Sequence, residues 1–288
     1  LDIGCNDGSL LDYFKLKGCR TIGVDPTGAA LESKHATINE YFDKRCADQV
    51  INKVGQPDLI VFTNVFAHIE DLPSLINNLK ILIHEKTKIV IENHYLGAVL
   101  EGCQFDTFYH EHPRTYSYRS FEYIAKSLEM NVLDAEFVSR YGGNIRVYLG
   151  VGDKRHLEID ESHFSSSFTK LSSDMLKWKV ETKKMISDLI SEHGLIRAKA
   201  FPGRAAILIK LLDLNENHIS AVYEIKGSIK VGNYVPGTRI PILPEAELYG
   251  KEDLNKPILN LAWHLPSEVR ANLLTNGYTG NVFDIKTF

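Results

Sequence analysis

The chain opens on a glycine turn that restricts the folds open to it. Residues 1–8 read Leu1-Asp2-Ile3-Gly4-Cys5-Asn6-Asp7-Gly8, an apolar run, a turn, and then helical periodicity over residues 9–16. Gly4 and Gly8 permit positive φ and close backbone approach, and Asn6 is among the residues that best tolerate the left-handed region. Backbone N–H groups at the start of the next helix can meet a carboxylate or phosphate. Asp25 follows a second apolar run at 21–24, about 20 residues after the turn, where an acid receives ribose hydroxyls in nucleotide-binding α/β folds. The turn is not G-x-G-x-x-G, which disfavours a dinucleotide fingerprint. Strand, turn, helix, strand and acid in this order imply a mostly parallel sheet with helices on both faces.

The rest of the first half keeps this alternation. Residues 26–33 read as a helix, 59–63 as a buried strand, 72–83 as an amphipathic helix and 88–91 as another buried strand. Residues 98–118 are rich in aromatics, His and acids without a period, so a long functional loop is expected there. A helix at 121–128 and antiparallel strands at 132–138 and 144–149 would complete a seven-stranded Rossmann-like sheet. Residues 153–195 are polar and helix-prone, and a second α/β alternation follows. The expected organisation is a ligand-binding domain at 1–152, a helical connector at 153–195 and a smaller α/β Rossmann-like domain at 196–288. Leu1 already lies within a strand, so sequence upstream of it is expected.

Composition narrows the partners. Of the 288 residues 44% are hydrophobic and 24% charged, ordinary for a globular protein. The net charge of −4 argues against nucleic acid, which calls for a basic face. No apolar run is long enough to span a membrane. The four cysteines are scattered, as free thiols in a reducing cytoplasm would be.

Several residues carry candidate chemistry. Asp48 follows the third strand region and would receive an adenine amino group or cap a helix. Asn64 follows the strand at 59–63, at the carboxyl edge where open sheets bind ligands. The densest cluster is Tyr109, His110, Glu111 and His112, after the strand at 88–91, with His68 expected from the neighbouring strand end. Histidine is the usual base at neutral pH, and an adjacent acid orients it. His110 and His112 share a side of an extended chain, but no third ligand at zinc spacing joins them, and no metal is expected. Glu92, Asn144 and Arg146 would line a substrate site, Arg146 as a bidentate partner for a diphosphate. Lys226, Lys230 and Arg239 are candidate phosphate contacts in the second α/β domain.

The segments LDIGCNDGSLL, NVFAHIED, QFDTFYHEH and VGNYVPGTRIPIL, in this order over essentially the whole chain, resemble the S-adenosylmethionine (SAM)-dependent sugar C-methyltransferases. These act on nucleotide-linked keto-deoxysugars. The resemblance implies an N-terminal zinc-binding domain, absent from this sequence, then a SAM domain and a C-terminal Rossmann-like domain. It implies SAM contacts at Asp2, Gly4, Gly8 and Asp25, to which the turn itself adds Asn6. Tyr109 and His112 would stand beside the sugar and supply the base, with Glu111 orienting it and His68 assisting. The chain departs from the family pattern at His264, at Glu224-Ile225-Lys226 and at Ala200-Phe201-Pro202-Gly203-Arg204. The expected function is C-methylation of a nucleotide-linked sugar beside a keto group. The alternatives are O-methylation of a nucleotide sugar or heptose, and a non-catalytic nucleotide-sugar binding protein.

Overall fold

The computed structural model describes residues 1–153, 157–250 and 252–287. It forms two compact units: Leu1–Glu101 with His110–Phe164, and Gly102–Tyr109 with Ser165–Phe288. The short segment Gly102–Tyr109 thus belongs to the second unit although the chain on both sides of it belongs to the first.

The first unit runs β1 (Asp2–Ile3), α1 (Ser9–Leu16), β2 (Ile22–Val24), β3 (Ala36–Ile38), α2 (Lys44–Val54), β4 (Leu59–Thr63), α3 (Leu72–Leu82), β5 (Lys88–His94), α4 (Leu96–Glu101), α5 (Tyr118–Ser127), β6 (Asn131–Val138) and β7 (Asn144–Gly150). Its seven strands lie in the order β3-β2-β1-β4-β5-β7-β6. All neighbours are parallel except β7, which is antiparallel to β5 and β6. The seven-stranded Rossmann-like sheet is therefore as expected. Central strands are apolar without alternation because helices cover both faces; Ile60, Val61 and Phe62 of β4 are all buried. Strand order reverses between β1 and β4, the switch point at which open sheets leave a crevice at their carboxyl ends.

Two local expectations change. Residues 26–33 hold only a 3₁₀ turn, Gly28–Glu32. The long loop is shorter than read, because α4 and a 3₁₀ turn at Phe105–Thr107 occupy part of it. No apolar period marks the bounds of β3 or α2 in the sequence. β3 is three residues long and buries only Ile38, and α2 buries a narrow stripe of Cys46, Ala47 and Val50 between charged residues.

Aromatic packing fixes the crest of the sheet. The Phe66 ring meets Phe62 edge-on at 4.8 Å and Tyr116 at 5.7 Å, and Tyr116 stacks on Phe121 at 5.2 Å. These contacts draw the 3₁₀ turn Phe66–His68 onto the core. Glu161 closes the start of α5, accepting from the N–H of Tyr118 at 2.7 Å and of Arg119 at 3.2 Å, and from the Tyr95 hydroxyl at 3.1 Å.

The second unit takes the segment 102–109 and then α6 (Phe164–His193, from Ser165 on), β8 (Ile196–Lys199), α7 (Ala205–Leu212), β9 (Ile219–Glu224), β10 (Ile242–Pro244), α8 (Glu245–Tyr249), β11 (Ile258–Asn260), α9 (Pro266–Thr275) and β12 (Val282–Asp284). Its sheet is wholly parallel, ordered β10-β9-β8-β11-β12, the order of the first five strands of the first unit. The expected connector thus supplies a 30-residue helix of this unit, where the Trp178 indole N–H donates to the Ile285 carbonyl at 2.9 Å. Residues 154–156 of that connector lie outside the described residues. The VGNYVPGTRIPIL segment folds back on itself, the Val235 N–H bonding the Ile240 carbonyl at 2.9 Å, with Val235, Ile240 and Ile242 buried.

Candidate active site

A crevice of about 740 Å³ opens at the carboxyl ends of β1, β2 and β4. Ile3, Gly4, Val24, Pro26, Asp43, Val65 and His68 are among the residues that line it. Gly4 and Gly8 have φ of 83° and 81°. A Cβ on Gly4 would come within 2.2 Å of Val65 Cγ2, and one on Gly8 within 2.5 Å of Ser33 Oγ. Both positions thus combine a left-handed backbone with no room for a side chain.

Asp25 ties the turn to β2. Its Oδ2 accepts from the Asn6 N–H at 3.0 Å, and its Oδ1 from the Thr27 N–H at 2.8 Å and the Thr27 hydroxyl at 2.6 Å. Asn6 adopts the left-handed conformation, φ 50°. A carboxylate has acceptor capacity beyond these bonds, which leaves Asp25 able to meet ribose hydroxyls. Asp2 is 2% exposed, and its Oδ1 is buried with no hydrogen-bond partner. Burial pushes the Asp2 carboxyl up to about 6, and the nearby Asp25 adds to this. An orphaned buried carboxylate oxygen next to a glycine cradle suits a ligand that carries an ammonium group. The residues present therefore fit an amino-acid-bearing nucleoside such as SAM.

Asp48 is not part of this crevice. It lies within α2 and pairs with Lys44 at 2.8 Å on the solvent side. One acid at the crevice is Asp43, the N-cap of α2, which accepts from the Cys46 N–H at 2.8 Å. Its signal in the sequence was that of a cap, an Asp just ahead of a helix. Glu70 and Asp71 also line the crevice and were missed, as was the exposed Tyr41.

His68 stands at the rim of the crevice. The turn that carries it is held from below: Asn93, 1% exposed, accepts from the Ala67 N–H at 3.2 Å, and the Tyr116 hydroxyl donates to the Phe66 carbonyl at 3.2 Å. Arg114 donates to the carbonyls of Ile69 and Glu70 at 2.6 and 2.7 Å. The His68 Nδ1–H donates to the Glu111 carbonyl at 2.7 Å. That bond makes Nε2 the basic nitrogen of the neutral ring. The His112 ring packs against His68 at 4.8 Å, edge to face. The structure thus brings His68, Glu111 and His112 together, with Glu111 acting through its backbone oxygen. His110 is exposed, and Tyr109 is half-buried and belongs to the second unit.

The expected substrate residues form one buried network. Glu92, 4% exposed, receives Arg146 Nε at 2.9 Å and Nη2 at 2.7 Å on one oxygen and the Asn144 amide at 3.1 Å on the other. Asn144 also donates to Asn64 Oδ1 at 3.0 Å. The Arg146 fork is thus engaged by a carboxylate of its own chain, with Glu136 adding a bond at 3.2 Å. Asn144 lines a second cavity of about 560 Å³, and its Oδ1 is buried with no partner. That oxygen is an acceptor still to be matched by a donor.

Comparisons with known proteins bear on the class of reaction. A methyltransferase domain matches residues 1–135, which contain the whole crevice. The first unit is accordingly that of a SAM-dependent methyltransferase, with SAM as the cofactor. The C-methyltransferase C-terminal domain matches residues 141–283. With both halves matched, the chain belongs to the SAM-dependent C-methyltransferases. C-methyltransferase NovU of Streptomyces niveus is 24% identical, the alignment covering 96% of this chain and 70% of NovU. A SAM-dependent methyltransferase structure from Archaeoglobus fulgidus has 16% identity and a TM-score of 0.40, covering 51% of this chain and 83% of that one. Magnesium protoporphyrin IX methyltransferase of Synechocystis PCC 6803 with bound SAH has 14% identity and a TM-score of 0.40, covering 52% of this chain and 72% of that one. No described helix is long and apolar enough to cross a membrane.

Proposed function

We propose that the chain methylates a carbon beside the keto group of a nucleotide-linked sugar, through an enolate formed by a histidine or tyrosine base. The observation that carries this reading is the grouping of Glu111 and His112 about His68, which lines the SAM crevice. Carbon is a poor nucleophile until a proton beside a carbonyl is removed, and a neutral imidazole is suited to remove it. SAM supplies a methyl group already activated on a sulfonium sulfur.

In this reading Asp2, Gly4, Asn6, Gly8 and Asp25 hold SAM, and Asp43 takes the place expected of Asp48. His112 accepts the proton, with Tyr109 as the competing base. His68, its Nδ1–H committed to Glu111, presents Nε2 near the sugar's oxygens. As the base takes the proton, the electron pair of the C–H bond passes into the enolate. That carbon then forms its bond to the methyl group as the sulfur–methyl bond breaks, and the base returns its proton to solvent. Asn144, with its unmatched Oδ1, would accept from a sugar hydroxyl, and Asn64 and Glu92 hold it in place. The nucleotide-linked sugar itself rests on the sequence resemblance together with these polar groups.

Incubation with a nucleotide-linked 4-keto-deoxysugar in D₂O tests the step. Deuterium is expected to enter the position beside the ketone under enzyme catalysis. Methyl transfer to a hydroxyl, with no deuterium entering that position with or without SAM, would refute the enolate.

A further inference from the structure

The crest of the second sheet shows what its strand ends hold. β8 leads into the turn Ala200-Phe201-Pro202-Gly203-Arg204 and then α7, and Ala200 has φ 62°. Glu224, at the end of β9, accepts from the Phe201 N–H, as Asp25 accepts from Asn6 in the first unit. A mononucleotide-type fold would meet a phosphate at this turn and helix start. Here the anion is Asp106. Its carboxylate is 0% exposed and receives Arg204, the N-cap of α7, through Nε at 2.7 Å and Nη2 at 3.0 Å. The Trp263 indole N–H, from the loop after β11, donates to the same carboxylate at 2.8 Å.

The rest of the segment is fastened by the same crest. Arg204 Nη2 also reaches Gln104 Oε1 at 3.4 Å, and the Phe105 ring packs on Trp178 at 4.8 Å. Lys286, 3% exposed and just beyond β12, donates to the Gly102 carbonyl at 3.3 Å and lies 4.0 Å from the Trp263 ring centre. Burial pulls its ammonium down to about 8, opposed by Asp106 and Cys103. Burial likewise lowers His264, beside Trp263, to about 4, so this neighbour stays uncharged near neutral pH. Bidentate guanidinium–carboxylate pairs fix geometry as well as charge, and the planar Arg204 fork, 4.7 Å from the Trp263 ring centre, loses little freedom in making one.

We propose that the ligand of the second sheet's crest is the chain's own segment Gly102–Tyr109, with Arg204 and Trp263 as positioning residues for Tyr109. This rests on the reading that Tyr109 takes part in the proton transfer. Misplacing such a group by about 1 Å costs on the order of 10²-fold in rate.

Two mild variants test this in the full chain. R204K keeps a charge opposite Asp106 but loses the fork, and W263F keeps an aromatic ring but loses the N–H. Each is expected to lower kcat about 10–100-fold, to leave SAM affinity by calorimetry unchanged, and to speed amide hydrogen exchange of residues 102–109. Y109F is the companion variant. Wild-type kcat in Y109F would overturn the role given to Tyr109 itself. A slow Y109F beside R204K and W263F variants that retain wild-type kcat would overturn the positioning role alone. Wild-type exchange of residues 102–109 in both variants would overturn the fastening. Where R204K does not fold, W263F decides.

Discussion

Replacing His112 by alanine is expected to lower the methyl-transfer rate about 10²–10⁴-fold, the range for a general base, while SAM binds as before. The argument is local. His112 is half-buried, its ring lies edge to face with His68, and it is not among the residues that line the SAM crevice. Its loss removes a proton acceptor without touching the glycine cradle or Asp25. Single-turnover transfer measures the first effect and calorimetric titration with SAM the second. A loss below about tenfold would move the base to Tyr109 or to His68, whose Nε2 is the basic nitrogen while Nδ1–H is held by Glu111. A His68→Gln variant then discriminates between these two, since it retains a side-chain donor for the Glu111 carbonyl but loses the basic nitrogen.

The second large effect falls on stability. Asp106→Ala is expected to destabilise the second unit by about 3–5 kcal/mol, the cost of leaving the other member of a buried pair unmatched. Arg204 is 11% exposed at its side chain and Asp106 is wholly buried, so solvent cannot replace the lost carboxylate. The Trp263 N–H loses its acceptor at the same time. Both tryptophans, Trp178 and Trp263, belong to the second unit, so their fluorescence in denaturant follows that unit. The double variant Asp106→Ala/Arg204→Met should regain part of the loss, because no unpaired guanidinium remains. A double variant destabilised by the sum of the Asp106→Ala and Arg204→Met single variants would show that the pair has no coupling energy.

Much of this was legible in the sequence because the signals are local. Gly4, Gly8 and Asp25 declare a strand–turn–helix–strand–acid unit by type and spacing, and the short apolar runs of β4 and β5 fit buried strands. The first sheet, with β7 turned antiparallel, follows from such runs. Asp48 was misplaced because β3 is too short and α2 too thinly apolar to mark where the third strand ends. With those two elements unbounded, the acid nearest the strand could not be distinguished from one farther along the helix. Arg146 was read as open for a diphosphate because its partner Glu92 lies 54 positions away and meets it only across β5 and β7.

The same limit hid the fastening of residues 102–109. Asp106 and Arg204 are 98 positions apart, and Asp106 and Trp263 are 157 apart. No periodicity or motif joins such positions; only the fold does. The departures at residues 200–204 acquire a physical sense there, since the turn ends in a guanidinium that holds a carboxylate of its own chain. Glu224, in another of the departures, fixes the turn by its bond to Phe201.

The most direct test is the bond made to the transferred methyl group. With SAM labelled by carbon-13 in its methyl and a nucleotide-linked 4-keto-deoxysugar, the product's labelled methyl is predicted to show coupling to a sugar carbon beside the ketone. A labelled methyl bonded to oxygen, with no carbon–carbon coupling, would contradict the account.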